Sequence, residues 1–367
     1  MNQQIEKCSM LSKKRQFPDD KKYPTPYDEL IPSNYLYVSK SGNDTNSGTA
    51  EKPLQTIQSA IDKSDAGTAI MVSEGVYEES ISFGNKKGRL DAPIWLQSKD
   101  GSDKAIIKSS KRDTVSGWGA NHIILSGFKI YGGVIFGPSI SPPYTPENVD
   151  CKYIVVKKNT IRSTTDRALA AAGCLKVYYL ENHICDSGTS IFRTTDAGID
   201  IVTVNDTIIA RNTVYDSPGN LIVVKGGSTD SIIAENYLFN LPKVAISAGQ
   251  SSTESLMWPE ALSEKFEGKR ITVKENEILA SPNRQLAVQF MACVDCTLEK
   301  NIIHAKSDYF TDVGLVESYA SHSKGSGWLP RNISLRNNCV GRLNWLFKEE
   351  GVGEPTENSN NNSVGCN

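Results

Sequence analysis

The stretch TIIARNTVYDSPGNLIVVKGGSTDSIIAENYLF, residues 207–239, contains one phrase twice, as TIIARNTV at 207–214 and SIIAENYL at 231–238. Each copy is a short β-branched run, a polar residue, an asparagine and a further aliphatic residue. The asparagines, Asn212 and Asn236, hold the same place in each copy. Between the copies lies a second apolar run, NLIVVK at 220–225, closed by Gly226 and Gly227. Apolar segments this short are of strand length, not helix length. Two or more of them per repeat, joined by polar turns, is the pattern of a coil that buries its apolar residues by stacking on the next.

The register extends in both directions: HIILSGFKI (122–130), YIVVKKNTI (153–161), VYYLENHI (177–184), ITVKENEI (271–278), CTLEKNII (296–303) and ISLRNNCV (333–340). Its asparagines are Asn159, Asn182, Asn212, Asn236, Asn276, Asn301 and Asn338, with Asn362 continuing the series. The shorter steps between them define a unit of about 24 residues, a length typical of solenoid repeats. The longer steps, together with the spacing upstream, mark loop insertions near 138–150, 250–268 and 305–330. Asparagine suits a corner between strands because it tolerates the left-handed conformation and its amide can hydrogen-bond from coil to coil. These features predict an all-β parallel β-helix. A propeller is disfavoured, because no Trp-Asp or Gly-His signature recurs.

Composition narrows the function. A net charge of −2 over 367 residues gives no electrostatic case for nucleic acid. No run reaches the roughly 18 apolar residues of a membrane span. Eight cysteines are too few for a disulfide scaffold. Cys293 and Cys296 form a lone CxxC; an offset of three along a strand would point them to opposite faces, so a structural role is expected over a metal site. Positions 1–34 read as an extension with little regular structure. They contain no apolar stretch of signal-peptide type.

Residues 35–83 read as a cap with the first coil: strand, Gly/Asn/Ser-rich turn, short helix, strands. Leu54, Ile57, Ala60 and Ile61 fall on one helical face, suited to covering the end of a solenoid. Here Tyr37-Val38-Ser39, Gly42-Asn43-Asp44, Ser47-Gly48-Thr49, Pro53-Leu54-Gln55-Thr56-Ile57 and Glu74-Gly75-Val76-Tyr77 resemble the opening module of right-handed parallel β-helix proteins of the pectate lyase superfold. With the repeats, the resemblance covers roughly residues 35–365. It implies a right-handed, single-stranded β-helix over residues 84–367, and a secreted or cell-surface protein.

TTDAGIDIV (194–202) is similar to the calcium-binding Asp-Asp-Gly-x-Asp segment of family 9 polysaccharide lyases. Asp196 and Asp200 match the outer aspartates, Ala197 replaces the middle one, and Asp166 sits near a further acidic ligand. The resemblance implies a Ca²⁺ site, weakened by the lost carboxylate because calcium takes about six to eight oxygens. Alternation along the strand turns Asp200 outward if Ile199 and Ile201 face the core; the plain alternative is a solvated surface aspartate. Lys225, one coil on, resembles the lysine base of those lyases. β-Elimination removes the C5 proton of a uronate and needs its carboxylate neutralised, which Ca²⁺ or Arg193 would do, with Arg167 and Lys243 as weaker options. Gln289 and Glu317, at comparable strand positions in later coils, would continue a polar groove for an acidic polysaccharide. Trp258 and Tyr309, in the long insertions, would stack on sugars or else anchor their own loops. The four histidines lack the Gly-His-Gly context of polygalacturonases. The expected function is a lyase of a uronate-containing polysaccharide; the alternatives are a uronate C5-epimerase and a non-catalytic adhesin or tail-spike-like binder. A monomer, or an oligomer whose partner covers the end of the stack, is expected.

Overall fold

The computed structural model describes residues 22–162, 167–186, 197–217, 219–240, 244–280, 286–305, 314–319, 327–340, 344–347 and 355–361, with backbone only at 280, 305, 314–319, 340 and 344–347. Each repeat folds as one coil with three strands. In the twin repeats these are Asn205–Ala210, Thr213–Tyr215 and Asn220–Lys225, then Ser228–Ala234, Tyr237–Phe239 and Val244–Ala248. Every strand pairs in parallel with its counterpart in the adjacent coil, Ile209 with Ile233, Val214 with Leu238 and Ile222 with Ile246. Three parallel sheets result, and the first of them has 13 strands. The fold is a right-handed parallel β-helix.

Alternation sends Ile209, Ile233, Val214, Leu238, Ile222, Val224 and Ile246 into one continuous core, where all are fully buried. Burying each such side chain contributes roughly 1.5–3 kcal/mol. The asparagines stack between the first and second sheets. Asn182 Oδ1 accepts the Asn159 backbone N–H at 3.1 Å, and Asn212 Oδ1 accepts that of Asn182 at 2.9 Å. Each amide nitrogen donates back, as Asn182 Nδ2 does to Val156 O at 2.8 Å.

Two expectations about this corner are corrected. The left-handed conformation belongs to the residue before each asparagine: Lys158, Glu181, Arg211, Glu235, Glu275, Lys300, Asn337 and Asn360 have φ between 53° and 59°. The preceding residue takes the bend, leaving the asparagine to aim its amide along the stack. The ladder then continues through Asn361, which accepts the Asn338 N–H at 2.9 Å, one residue before the expected Asn362; Asn362 lies outside the described residues. The segment around it adds a strand, Glu357–Ser359, paired with Ser334–Arg336, and so extends the stack instead of crossing its end.

At the other end, the helix Ile57–Lys63 buries Ile57, Ala60 and Ile61. Thr56 caps it, its side chain accepting from Ser59 N. Chain segment 22–33, by contrast, is laid across the outer face of the first sheet. Tyr27 is buried there with Ala69, Trp95, Ile124 and Val155. Lys157 binds Asp28 at 3.0 Å and Lys22 binds Glu275 at 2.6 Å. The insertion at 250–268 forms the helix Pro259–Glu264 and a second cluster of Tyr144, Met257, Trp258, Phe266 and Trp328. Cys151 and Cys174 form a disulfide between adjacent coils. Cys293 and Cys296 also pair, contrary to the expectation of opposite faces. Asp295, at φ 55°, turns the chain between the strands Cys293–Val294 and Thr297–Glu299 and brings the thiols together.

Candidate active site

The third sheet carries the site. In the strand Ala197–Val202, Ile199 and Ile201 point into the core, so Asp200 stands on the outward face, in register with Ala170 of one neighbour and Val223 of the other. It is not the solvated residue of the plain reading: Asp200 is 1% exposed and Lys225 is 6% exposed. Other outward residues of this sheet, including Ala170, Val223 and Ser247, are also buried. This stretch of the outward face is therefore covered and is not an open sheet surface.

Lys225 ends the strand Asn220–Lys225 and pairs with Val202, two positions from Asp200. Its Nζ lies 3.4 Å from Asp200 Oδ1, while Arg167 Nη1 donates to Asp200 Oδ2 at 3.0 Å. One carboxylate thus meets two cations on the outward face of the third sheet. Hydrogen bonding here is incomplete, because Asp200 Oδ1 and Arg167 Nε are buried without a hydrogen-bond partner. Buried polar groups ordinarily find partners; Asp200 Oδ1 has the Lys225 ammonium at 3.4 Å as its counter-charge.

The corner after Lys225 is fixed from several sides. Its carbonyl accepts from Ser228 Oγ at 2.6 Å and Thr203 N at 3.0 Å. Buried Glu267 accepts the Gly226 N–H at 3.2 Å and the Ser252 N–H at 3.1 Å, tying the turn to the 250–268 insertion. Gly226 and Gly227 have φ of +71° and +77°, and a Cβ on Gly227 would fall 2.4 Å from Ala261. Only glycine meets both demands.

The outward face continues as a row. Asp200, Val223, Ser247, Gln289 and Glu317 are successive register partners. Gln289 and Glu317 therefore occupy the same row as Asp200, as their strand positions suggested. Trp258 does not offer a stacking face: it is 3% exposed, packed in the insertion's own cluster. An insertion standing off a solenoid is not covered by the coils and has to build a core of its own. An edge of Trp258 helps line a cavity of about 260 Å³ with Asn205, Thr229, Glu147 and Glu260. Arg193, Asp196, Asp166, Lys243 and Tyr309 lie outside the described residues, and Glu317 is described by its backbone alone.

Of the three residues expected to hold calcium, only Asp200 is among the described residues. Asp200 already faces Arg167 and Lys225, cations that repel a metal, and no group of three His, Cys, Asp or Glu side chains converges among the described residues. The residue that sequence reasoning underrated is Arg167. It reaches Asp200 across 33 positions of sequence, and its own strand context gives no sign of this.

The coils, the asparagine ladder and the helical cap define a right-handed parallel β-helix. Residues 40–84 match a family described as a protein of unknown function, DUF1565. The chain is 38% identical over 77 residues to the uncharacterized protein YwoF of Bacillus subtilis, covering 21% of this chain and 16% of that protein. It is 36% identical over 72 residues to pectate lyase PEL9 of Emericella nidulans, covering 19% of this chain and 18% of that protein. The chain thus matches less than a fifth of either relative's length. Among solved structures it is similar to the A-module of the Azotobacter vinelandii mannuronan C-5 epimerase AlgE4, with a TM-score of 0.52 and 12% identity over 78% of this chain and 83% of that one. It is also similar to XylC in complex with xylose, with a TM-score of 0.51 and 11% identity over 90% and 86%. At these identities the likeness is one of fold. No helix among the described residues is long and apolar enough to cross a membrane.

Proposed function

We propose that this chain is a carbohydrate-active β-helix protein that binds a uronate-containing polysaccharide along its third sheet and cleaves it by β-elimination, with Lys225 as the base. The observation that carries the reading is the meeting of Lys225, Asp200 and Arg167 on the outward face of the third sheet, with Arg167 Nε left without a hydrogen-bond partner. In the reaction Lys225, once its ammonium proton has passed to solvent, takes the C5 proton with its amine. The electron pair forms the C4–C5 double bond, and the glycosidic oxygen at C4 leaves, taking a proton as it becomes a hydroxyl. Arg167, with Nε free, neutralises the uronate carboxylate as charge develops beside it. Asp200 orients both cations. No step is assigned to calcium. The Cys151–Cys174 and Cys293–Cys296 disulfides support a secreted or surface location, where such bonds persist.

A second reading has an observation of its own. A lysine held 3.4 Å from a buried carboxylate also suits a site that only grips polyanions, as in an adhesin. Incubation with polygalacturonate and alginate, followed by ultraviolet absorbance of the unsaturated product, separates the two. Product formation that Lys225→Ala abolishes supports the lyase. Saccharide binding with no product on any uronan leaves the binding reading and sinks the elimination.

A further inference from the structure

Trp118 lies on the same outward row as Lys225. It ends the strand Ala105–Trp118 and pairs with Gly137. The register that pairs Ala171 with Phe136 carries on to set Ala172 beside Gly137. Ala172 pairs with Val202, and Val202 with Lys225. Facing is fixed by the flanking residues, since Phe136 is buried in the core and Gly117, before Trp118, backs onto its ring.

The indole lies on Gly137: a Cβ there would fall 2.5 Å from the Trp118 ring, so any larger residue would lift it. Yet Trp118 is 43% exposed, whereas Trp95, Trp258 and Trp328 are at most 5% exposed. A single exposed apolar residue is ordinary. An exposed indole laid on glycine, in line with Lys225 across a low floor of Gly137, Ala172 and Val202, is a platform for the apolar face of a sugar ring. Four strand spacings of about 4.8 Å put it roughly 19 Å from Lys225 along the solenoid axis, about four units of an extended polysaccharide.

We propose that Trp118 forms a distal pyranose-stacking subsite for the same uronan chain that reaches Lys225. This rests on the elimination reading for its substrate and adds that the chain runs parallel to the solenoid axis, toward the cap. The test has two arms. In the first, KM is measured for uronate oligosaccharides of increasing length with the native protein, Trp118→Ala and Trp118→Phe. The advantage of long over short chains is expected to shrink by about 3- to 10-fold in Trp118→Ala, the scale of an aromatic stacking contact, and less in Trp118→Phe. In the second, tryptophan fluorescence of Lys225→Ala is titrated with a uronate hexasaccharide, and the change is expected to be lost when Trp118→Phe is added. Turnover with an unaltered length dependence in Trp118→Ala overturns the subsite and leaves the elimination standing. Absence of turnover with fluorescence binding that depends on Trp118 does the reverse. Loss of neither the length dependence nor the fluorescence response refutes the subsite.

Discussion

At the scale of residues, the account turns on what each buried polar group loses when its neighbour is removed. Asp200 keeps two cations company on a face closed to water. Asp200→Ala strands both, and breaking a buried pair in this way costs about 3–5 kcal/mol; chemical denaturation of the variant against the native protein measures it. The asparagine ladder gives a graded counterpart. Asn212→Ala orphans the Asn182 N–H and takes the amide donor from the Tyr179 and Ala210 carbonyls, of which Ala210 keeps the Glu181 N–H, at about 1–3 kcal/mol per group left without water or partner. Asn361, only part-buried with its neighbours, is expected to cost less on the same change, and thermal unfolding of the two variants checks the order. Asp200 and Lys225 were legible in the sequence chiefly through the resemblance to family 9 polysaccharide lyases, strand alternation adding only which way Asp200 faces. Arg167 was named only as a weaker option, because its contact with Asp200 exists only once two coils are stacked.

At the scale of elements, the segment 22–33 is a strap whose hold depends on charge. Burial pushes the Glu235 carboxyl up, but hydrogen bonds from Lys22, Arg211 and Tyr23 outweigh it and hold the group below its ordinary value of 4.5. Burial likewise opposes, and the Thr25 backbone N–H and Lys157 overcome, at Asp28, which is held below 3.8. A carboxylate lowered in the bound state binds fewer protons there than when free, so its contribution is complete above the ordinary value and is lost as pH falls through the lowered one. Hydrogen exchange at the amides of Tyr23 to Leu30, corrected for intrinsic rates, is expected to lose protection as pH falls below the ordinary carboxylate values of 4.5 and 3.8, and Glu235→Gln to weaken protection already at neutral pH. Equal protection above and below those values would contradict the assignment. Nothing in residues 1–34 announced the strap. Its partners lie as far as 253 residues away, and the sign that something must cover the first sheet was elsewhere. Runs such as YIVV and VYYL carry apolar residues at consecutive positions, and one of each pair has to face outward.

At the scale of the whole molecule, the chain is a stack in which each coil is held chiefly by its neighbours. The Cys151–Cys174 disulfide closes a loop of 23 residues between two coils and is expected to contribute about 2–4 kcal/mol. Thermal melts with and without reductant test this, and an unchanged midpoint would show the bond to be dispensable. The coil stack was readable because the repeat is written into the spacing of asparagines and β-branched runs. The walls were not, since Trp258 and Trp328 belong to insertions that obey no period and are buried by each other. Trp118 becomes informative only when register places it in line with Lys225. The central claim, elimination on the outward face of the third sheet, is tested most directly by the ultraviolet absorbance of unsaturated uronate released from polygalacturonate and alginate by the native protein and by Lys225→Ala. The account predicts product from the native protein on at least one uronan and none from the variant while saccharide binding persists; no product from the native protein, or equal product from both, would contradict it.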